Sequence, residues 1–328
     1  MIPQRSLGKQ GLKVGAIGYG AMGLEGWYGA VDEAEAANTI RHALDIGVNL
    51  IDTADAYGNG HNEQLVGKAI KGRRKDCVLA TKFGIVFDPG TKGTEWPTNF
   101  GFSLYINGRP EYVRKCLDNS LRRLGIDTID LWYLHWPDRS MPIEDTVGAM
   151  AEGVKAGKVR HLGLSNVTDE EARRASRVHP MAAVQYEYSL WRRELETLLL
   201  PAWRELGIGL VPWAPLGSGF LGGKVPELSK DDWRKKNPRF TGDNLRANTD
   251  RFAPLKALAG ELGITPAQLA LAWLLHQGED VVPIPGSRRK ERVSENAAAA
   301  SVKLSAEVVG RIGQMAPAGA ASGASLIA

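Results

Sequence analysis

The sequence predicts an α/β fold: a single (β/α)8 TIM barrel with an N-terminal hairpin and extra helices. Three observations carry this expectation. Short aliphatic or β-branched runs alternate with longer amphipathic stretches along the chain, the pattern of a parallel sheet covered by helices. The alternation is nearly even and no mid-chain linker interrupts it, which favours a closed barrel over an open doubly wound sheet. Several strand candidates also finish on an ionisable residue, and barrels of this class build their sites at those strand ends.

The strands are expected at Val14–Ile17, Val48–Asp52, Val78–Lys82, Ile129–His135, His161–Leu164, Ala183–Tyr186, Gly209–Trp213 and Val281–Ile284. Helices are expected at Asp32–Ile46, Glu63–Lys71, Pro110–Leu124, Ile143–Ala156, Asp169–Val178 and Glu194–Leu206. Asp32 reads as a cap of the first, and Gly47, Gly125, Gly157 and Gly207 as left-handed stops. Ser6–Val14, with Gln10-Gly11 at its middle, reads as the small hairpin. Pro266–His276 and Ala306–Met315 read as the added helices. Residues 84–109 and 214–248 are too long for plain connectors and would overhang the same rim. The whole of 1–328 reads as one domain, with the small-residue segment 317–328 as a loosely held tail.

The chain has 328 residues, 24% charged and 43% hydrophobic, with a formal charge of +4. That small, scattered charge leaves no nucleic-acid footprint. No apolar run approaches membrane-spanning length, and the N-terminus has no signal-peptide pattern, so a cytoplasmic protein without membrane contact is expected. Its two cysteines, Cys77 and Cys116, are expected as reduced thiols. Oligomeric state is not legible.

Gly18-Tyr-Gly20-Ala-Met-Gly23 has the spacing of the Rossmann dinucleotide fingerprint. That motif works only where a helix begins at the glycines, and here Leu24-Glu-Gly-Trp-Tyr-Gly29 intervenes. The segment therefore reads as a strand-end loop with flexible glycines, and Trp27 and Tyr28 as candidate substrate contacts. Ser218–Val225 likewise lacks the first glycine and the final Ser/Thr of a P-loop.

The chemistry sits at three neighbouring strand ends, those of Asp52, Lys82 and His135, with Tyr57 on the loop after Asp52. Counting back by twos puts Leu50, Ala80 and Tyr133 on the same face. Singly, each polar residue has an ordinary explanation as a cap, a solvated charge or a packing residue; together they permit proton donation to a carbonyl oxygen. An ammonium near the phenol is expected to lower its pKa, with Asp52 holding Lys82 charged. A neutral His135 would direct the substrate oxygen. Reducing electrons would have to come from a cofactor. No metal-binding spacing is present. A Schiff-base aldolase using Lys82 is the competing enzyme reading.

Asp52-Thr-Ala-Asp-Ala-Tyr57-Gly resembles the signature of the aldo-keto reductase superfamily. So do Ala80-Thr-Lys82, Leu134-His135-Trp136-Pro137, Gly163-Leu-Ser-Asn166 and Ile284-Pro-Gly-Ser287, all in the family's order. The resemblance implies an NADP(H)-dependent enzyme that reduces aldehydes or ketones, with Asp52, Tyr57, Lys82 and His135 as the catalytic tetrad. The same superfamily includes potassium-channel β subunits, so a nucleotide-binding regulatory subunit is the alternative. The resemblance also implies cofactor contacts. Ser165, Asn166 and Gln185 would hold the carboxamide, with Tyr186 or Trp213 as the stacking ring. Trp213, Ala214, Pro215, Leu216, Gly217 and Ser218 would wrap the pyrophosphate, with Lys224 beyond. Ser287, Arg288 and Arg292 would bind the 2′-phosphate, and Glu295 and Asn296 the adenine, for which Arg239 is a weaker candidate. Gly286 stands where many members carry lysine. Trp136 completes the expected substrate contacts, with Trp96 and Phe100 nearby.

Overall fold

The computed structural model describes residues 2–26, 31–223, 228 and 232–326. A hairpin of β1 (Gln4–Leu7) and β2 (Leu12–Gly15) opens the chain. Barrel strands β3 (Tyr19–Gly20), β4 (Leu50–Asp52) and β5 (Val78–Phe83) follow, separated by α1 (Glu33–Asp45) and α2 (His61–Ile70). A second hairpin, β6 (Thr94–Pro97) and β7 (Ser103–Ile106), precedes α3 (Pro110–Leu124). Then come β8 (Ile129–Leu134), α4 (Ile143–Lys155), β9 (Val159–Ser165), α5 (Asp169–Val178), β10 (Met181–Glu187), α6 (Leu199–Glu205) and β11 (Gly209–Trp213). The C-terminal part holds α7 (Gly242–Glu261), α8 (Pro266–His276), α9 (Lys290–Ala298) and α10 (Ala306–Met315). Seven parallel strands run in the order β3-β4-β5-β8-β9-β10-β11.

The eighth wall is the expected Val281–Ile284, but it forms only part of a ladder. Val282 and Ile284 donate to Leu210 and Pro212 of β11, while the carbonyls of Pro283 and Pro285 accept from Gly18 and Gly20. The two prolines lack the amides that would complete pairing with β3. The glycines serve this seam: a Cβ on Gly18 would lie 2.8 Å from an Ile284 methyl, and one on Gly20 2.8 Å from the Ile284 carbonyl. They are close-approach residues of barrel closure, not the flexible loop expected. For the same reason the first barrel strand is Tyr19–Gly20, whereas the expected Val14–Ile17 falls mostly in the hairpin.

Two apolar layers result. Leu50, Ala80, Leu131, Tyr133, Val211 and Ile284 fill the barrel, with Leu7, Leu12 and Val14 of the hairpin packed among them. A larger layer lies between strands and helices. Asp32 caps α1 by accepting from the Glu35 amide, and Gly47, Gly125, Gly157 and Gly207 all have positive φ. Cys77 and Cys116 are free and buried.

Other expectations change. Glu194–Leu206 divides into a 3-10 turn at Glu194–Glu196 and α6, which places Pro201 in a first helical turn, where its missing amide costs nothing. The 84–109 connection contains the second hairpin, and α7 begins inside the expected 214–248 loop. Near the C-terminal end, residues 322–325 are hydrogen-bonded to residues elsewhere in the chain. Asn248 bonds Ser322 at 2.8 and 3.0 Å, Arg239 Nε donates to the Gly323 carbonyl at 3.1 Å, and Asn99 Nδ2 to that of Ser325 at 3.0 Å. Among the described residues, no single helix is long and apolar enough to cross a membrane.

Beneath the site, Gly163 leaves room for the Tyr133 ring, which a Cβ would meet at 2.5 Å. Gly163→Ala should therefore destabilise by about 1–3 kcal/mol through overpacking, read as a lowered urea midpoint. An unshifted midpoint would mean that Tyr133 is free to move aside.

Candidate active site

Strand register brings the tetrad together. Asp52 of β4 pairs with Ala80 of β5, and Lys82, two residues further, pairs with Tyr133 of β8. The three ends thus share one rim and one inward face, as expected from the alternation. Lys82, with no exposed surface, donates to Asp52 Oδ1 at 2.5 Å, to the Thr53 carbonyl at 2.8 Å and to the Tyr57 hydroxyl at 3.2 Å. These three bonds use all the donors of an ammonium. Burial pulls the Lys82 amine down, but the adjacent Asp52 and Tyr57 oxygens more than offset it and hold it above its ordinary value. A charged, fully bonded ammonium is not the free amine that a Schiff base requires.

Tyr57 corrects an expectation. Burial pushes its phenol upward by more than Lys82 draws it down, and Asp52 adds to the rise. The phenol is therefore a neutral hydroxyl at ordinary pH, carrying the proton that it would give. Its ring stands perpendicular to that of His135, with centroids 5.9 Å apart. Burial, assisted by Lys82, holds His135 well below the ordinary imidazole value, so it is neutral.

Two further residues fix this geometry. Gln185 Nε2 donates to Asp52 Oδ2 at 2.7 Å, a role invisible in sequence because it joins strands far apart in the chain. Asn166, at φ 57°, donates to the His135 carbonyl at 3.1 Å and to Ser165 Oγ at 2.9 Å. Its oxygen accepts from Trp213 Nε1 at 3.2 Å.

A cavity of about 1020 Å³ runs from the tetrad to the turn before α9. Asp52, Tyr57, His135, Trp136, Ser165, Asn166, Gln185, Trp213, Ala214, Pro215, Leu216 and Ser218 line it, followed by Gly286, Ser287, Arg288 and Arg292. Lys82 lies behind Asp52 and Tyr57. Of the two aromatic candidates, Trp213 faces the cavity and Tyr186 does not. Gly217, Glu295 and Asn296, expected as cofactor contacts, are not in the wall. Gly217 backs onto the Trp191 ring, and Glu295 is paired with Arg292. Arg239 is buried beside Glu187 at 3.7 Å, away from the expected adenine position. Trp27, Tyr28 and Lys224 lie outside the described residues.

Arg289 lines the cavity beside Arg288, and sequence reasoning missed the apolar wall of Ile85, Phe87, Phe102, Leu104 and Leu326. Trp96 packs at a tilt against Trp136, with ring centroids 5.6 Å apart, and Phe100 against Trp233 at 5.9 Å. The Arg288–Arg292 turn is anchored by Tyr19, whose hydroxyl donates to the Ser287 carbonyl at 2.5 Å, and by Thr39, which donates to that of Arg288 at 3.3 Å. A Cβ on Gly286 would lie 2.8 Å from the Gly20 carbonyl, so the seam itself excludes a side chain there. Among the described residues, no group of three or more His, Cys, Asp or Glu could hold a metal ion.

Residues 16–316 match the model of the Aldo/keto reductase family. The chain belongs to that family. It is 44% identical over 322 residues to the "Probable aldo-keto reductase 1" of Glycine max, covering 97% of this chain and 90% of the relative. Among solved structures, the glycerol dehydrogenase AKR11B4 of Gluconobacter oxydans superposes with a TM-score of 0.83 at 28% identity, covering 95% of this chain and 94% of that one. An aldo/keto reductase of Klebsiella pneumoniae, in complex with NADP and acetate, does so with a TM-score of 0.74 at 27% identity, covering 100% of this chain and 99% of that one. The fold of this aldo-keto reductase is accordingly the (β/α)8 barrel.

The neutral state of His135 has a measurable consequence. A native imidazole held below its unfolded value of about 6.5 binds fewer protons than the unfolded chain, so stability falls as pH drops below that value. The urea midpoint of the wild type should fall more steeply from pH 7 toward 5 than that of His135→Gln. Parallel curves would mean that His135 takes up its proton as readily in the folded chain as in the unfolded one.

Proposed function

We propose that the chain reduces an aldehyde or ketone to an alcohol with NADPH, Tyr57 donating the proton. The observation that carries this reading is the contact of Lys82 Nζ with both Asp52 and the Tyr57 hydroxyl, at the head of a cavity that ends in arginines. The long cavity fits a dinucleotide. Arg288, Arg289 and Arg292 at its far end are suited to a 2′-phosphate, which accepts charge-assisted hydrogen bonds that a hydroxyl cannot match. Ser287 lies beside them. Trp213 would stack on the nicotinamide, with Ser165, Asn166 and Gln185 at its carboxamide, and Ala214, Pro215, Leu216 and Ser218 would follow the pyrophosphate. Bound NADPH supplies the hydride.

The chain's own residues handle the oxygen. A carbonyl seated against Tyr57 and His135 would accept hydrogen bonds from the phenol and the neutral imidazole, fixing its direction. As negative charge develops on that oxygen, the Tyr57 proton moves onto it. Lys82, 3.2 Å from the phenol oxygen, stabilises the phenolate left behind. Asp52 keeps Lys82 charged, and Gln185 keeps Asp52 in place.

Tyr57→Phe should retain NADPH binding while carbonyl reduction falls by roughly 10²–10⁴-fold, the contribution of general acid catalysis. Most of the turnover surviving, with chemistry rate-limiting, would remove Tyr57 from the reaction. Separately, replacing Arg288 and Arg292 by alanine should raise the KM for NADPH far more than that for NADH. An equal rise for both would place the 2′-phosphate elsewhere.

A further inference from the structure

The mechanism uses Asp52 and leaves a second buried aspartate, three residues on, without a role. Asp55 is 1% exposed; its carboxyl makes no hydrogen bond of good geometry among the described residues, and the donors nearest to it are the Ala56 amide and the Cys116 thiol of α3. It stands beside Glu63 of α2, which is also fully buried and already engaged, accepting from Arg123 Nε at 2.6 Å and from Thr81 Oγ1 at 2.7 Å. From α3, the buried Tyr112 and Cys116 also face this pocket. Lys82, Asp52 and Tyr57 belong to the other side of the same turn.

The backbone ties Asp55 to the tetrad directly. Its amide donates to the Lys82 carbonyl at 3.1 Å, and the Tyr57 amide donates to the Ala54 carbonyl at 3.3 Å. Lys82 Nζ holds the Thr53 carbonyl from the front. The turn from Thr53 to Tyr57 is thus fastened to Lys82 on both sides; Thr53 Oγ1 donates to Asn62 Oδ1 of α2 at 2.6 Å, and the Asp55 side chain is the turn's ionisable contact with α2 and α3, beside Glu63 and Cys116. Extending the reading that Tyr57 is the proton donor, we propose that Asp55 is a positioning residue, whose carboxyl pegs the turn that presents the Tyr57 hydroxyl to Lys82.

A buried carboxyl whose nearest donors are one amide and a weakly donating thiol is stable only when neutral. Burial, reinforced by the neighbouring Glu63, raises Asp55 well above the ordinary carboxylate value. Arg123 opposes this, but it is already bonded to Glu63. Neutrality also serves Tyr57, because a charge on Asp55 would oppose the phenolate that forms when the proton leaves. The sign of the pH effect follows. The native chain binds a proton here that the unfolded chain has lost above about pH 4, so this contribution to stability declines as pH rises toward the native ionisation.

The test compares wild type, Asp55→Asn and Asp55→Ala as full chains, with NADPH and benzaldehyde. Asp55→Ala removes the peg and should lower kcat by about tenfold to a hundredfold, the scale of a small misplacement of a catalytic group, with little change in the KM for NADPH. Asp55→Asn, which keeps a neutral planar group, should recover most of that loss. The thermal midpoint of the wild type relative to Asp55→Asn should also decline as pH rises above the ordinary carboxylate range, because only the wild type carries the extra proton. A wild-type kcat in Asp55→Ala, or a midpoint difference independent of pH, overturns the proposal. Should Asp55→Ala fail to fold, Asp55→Leu, which fills the same buried space without a polar group, decides in its place by the same kcat comparison with Asp55→Asn. Turnover that survives in Tyr57→Phe would sink the proposed reaction instead, while the midpoint comparison still tests the peg.

Discussion

The site depends on one buried ion pair. Lys82 and Asp52 lie inside the barrel with almost no exposed surface, 2.5 Å apart. Two charges taken out of water are costly, and such a pair is tolerated only when its remaining hydrogen-bonding positions are filled. Here they are filled by Thr53 and Tyr57 on the ammonium and by Gln185 on the carboxylate. Each of these partners is consequently fixed by the pair. The tyrosine hydroxyl is held where a proton can be given up, and β4, β5 and β10 are linked through side chains across the barrel interior. Removing one charge leaves the other buried alone, which typically costs about 3–5 kcal/mol. Stability and the proposed chemistry therefore draw on the same contacts.

The second constraint is the barrel seam. Gly18, Gly20 and Gly286 let the first strand and the last wall approach to distances that no side chain permits. Tyr19 and Thr39 then hold the Ser287–Arg288 turn at the cavity's far end. Gly286, pressed against the Gly20 carbonyl, can carry no side chain, so the anion-binding role proposed for that end falls to the arginines that follow. At the near end, the second hairpin and the C-terminal tail bring Leu104 and Leu326 against Trp136. Two segments with weak local signals thereby complete a wall at the tetrad.

Much of this was legible in the sequence. Period-two alternation placed Asp52, Lys82 and His135 on one inward face, and the bounds expected for α3, α5, α8 and α10 are those observed. What escaped was set by tertiary context. Gln185 serves Asp52 through a contact 133 residues apart in the chain, which no local pattern records. The acidity of Tyr57 was misjudged because the ammonium is visible in sequence while burial is not, and burial is the larger influence. The helix α7 was hidden by Pro254 and a polar first half. The glycine triplet carries a motif whose usual meaning depends on a following helix, and here a 3-10 turn, Ala21–Glu25, follows instead.

The claim that the buried pair organises the site is tested most directly at Asp52, which touches neither the proposed proton nor the carbonyl. The measurement is the single-turnover rate of NADPH oxidation by an aldehyde in Asp52→Asn, alongside the Kd for NADPH. If the pair sets the charge and position of Lys82, and through it those of Tyr57, the rate should fall by roughly a hundredfold or more while the Kd stays near the wild-type value. A wild-type single-turnover rate in a folded Asp52→Asn chain would contradict the account, since Lys82 would then hold its charge and place without its partner.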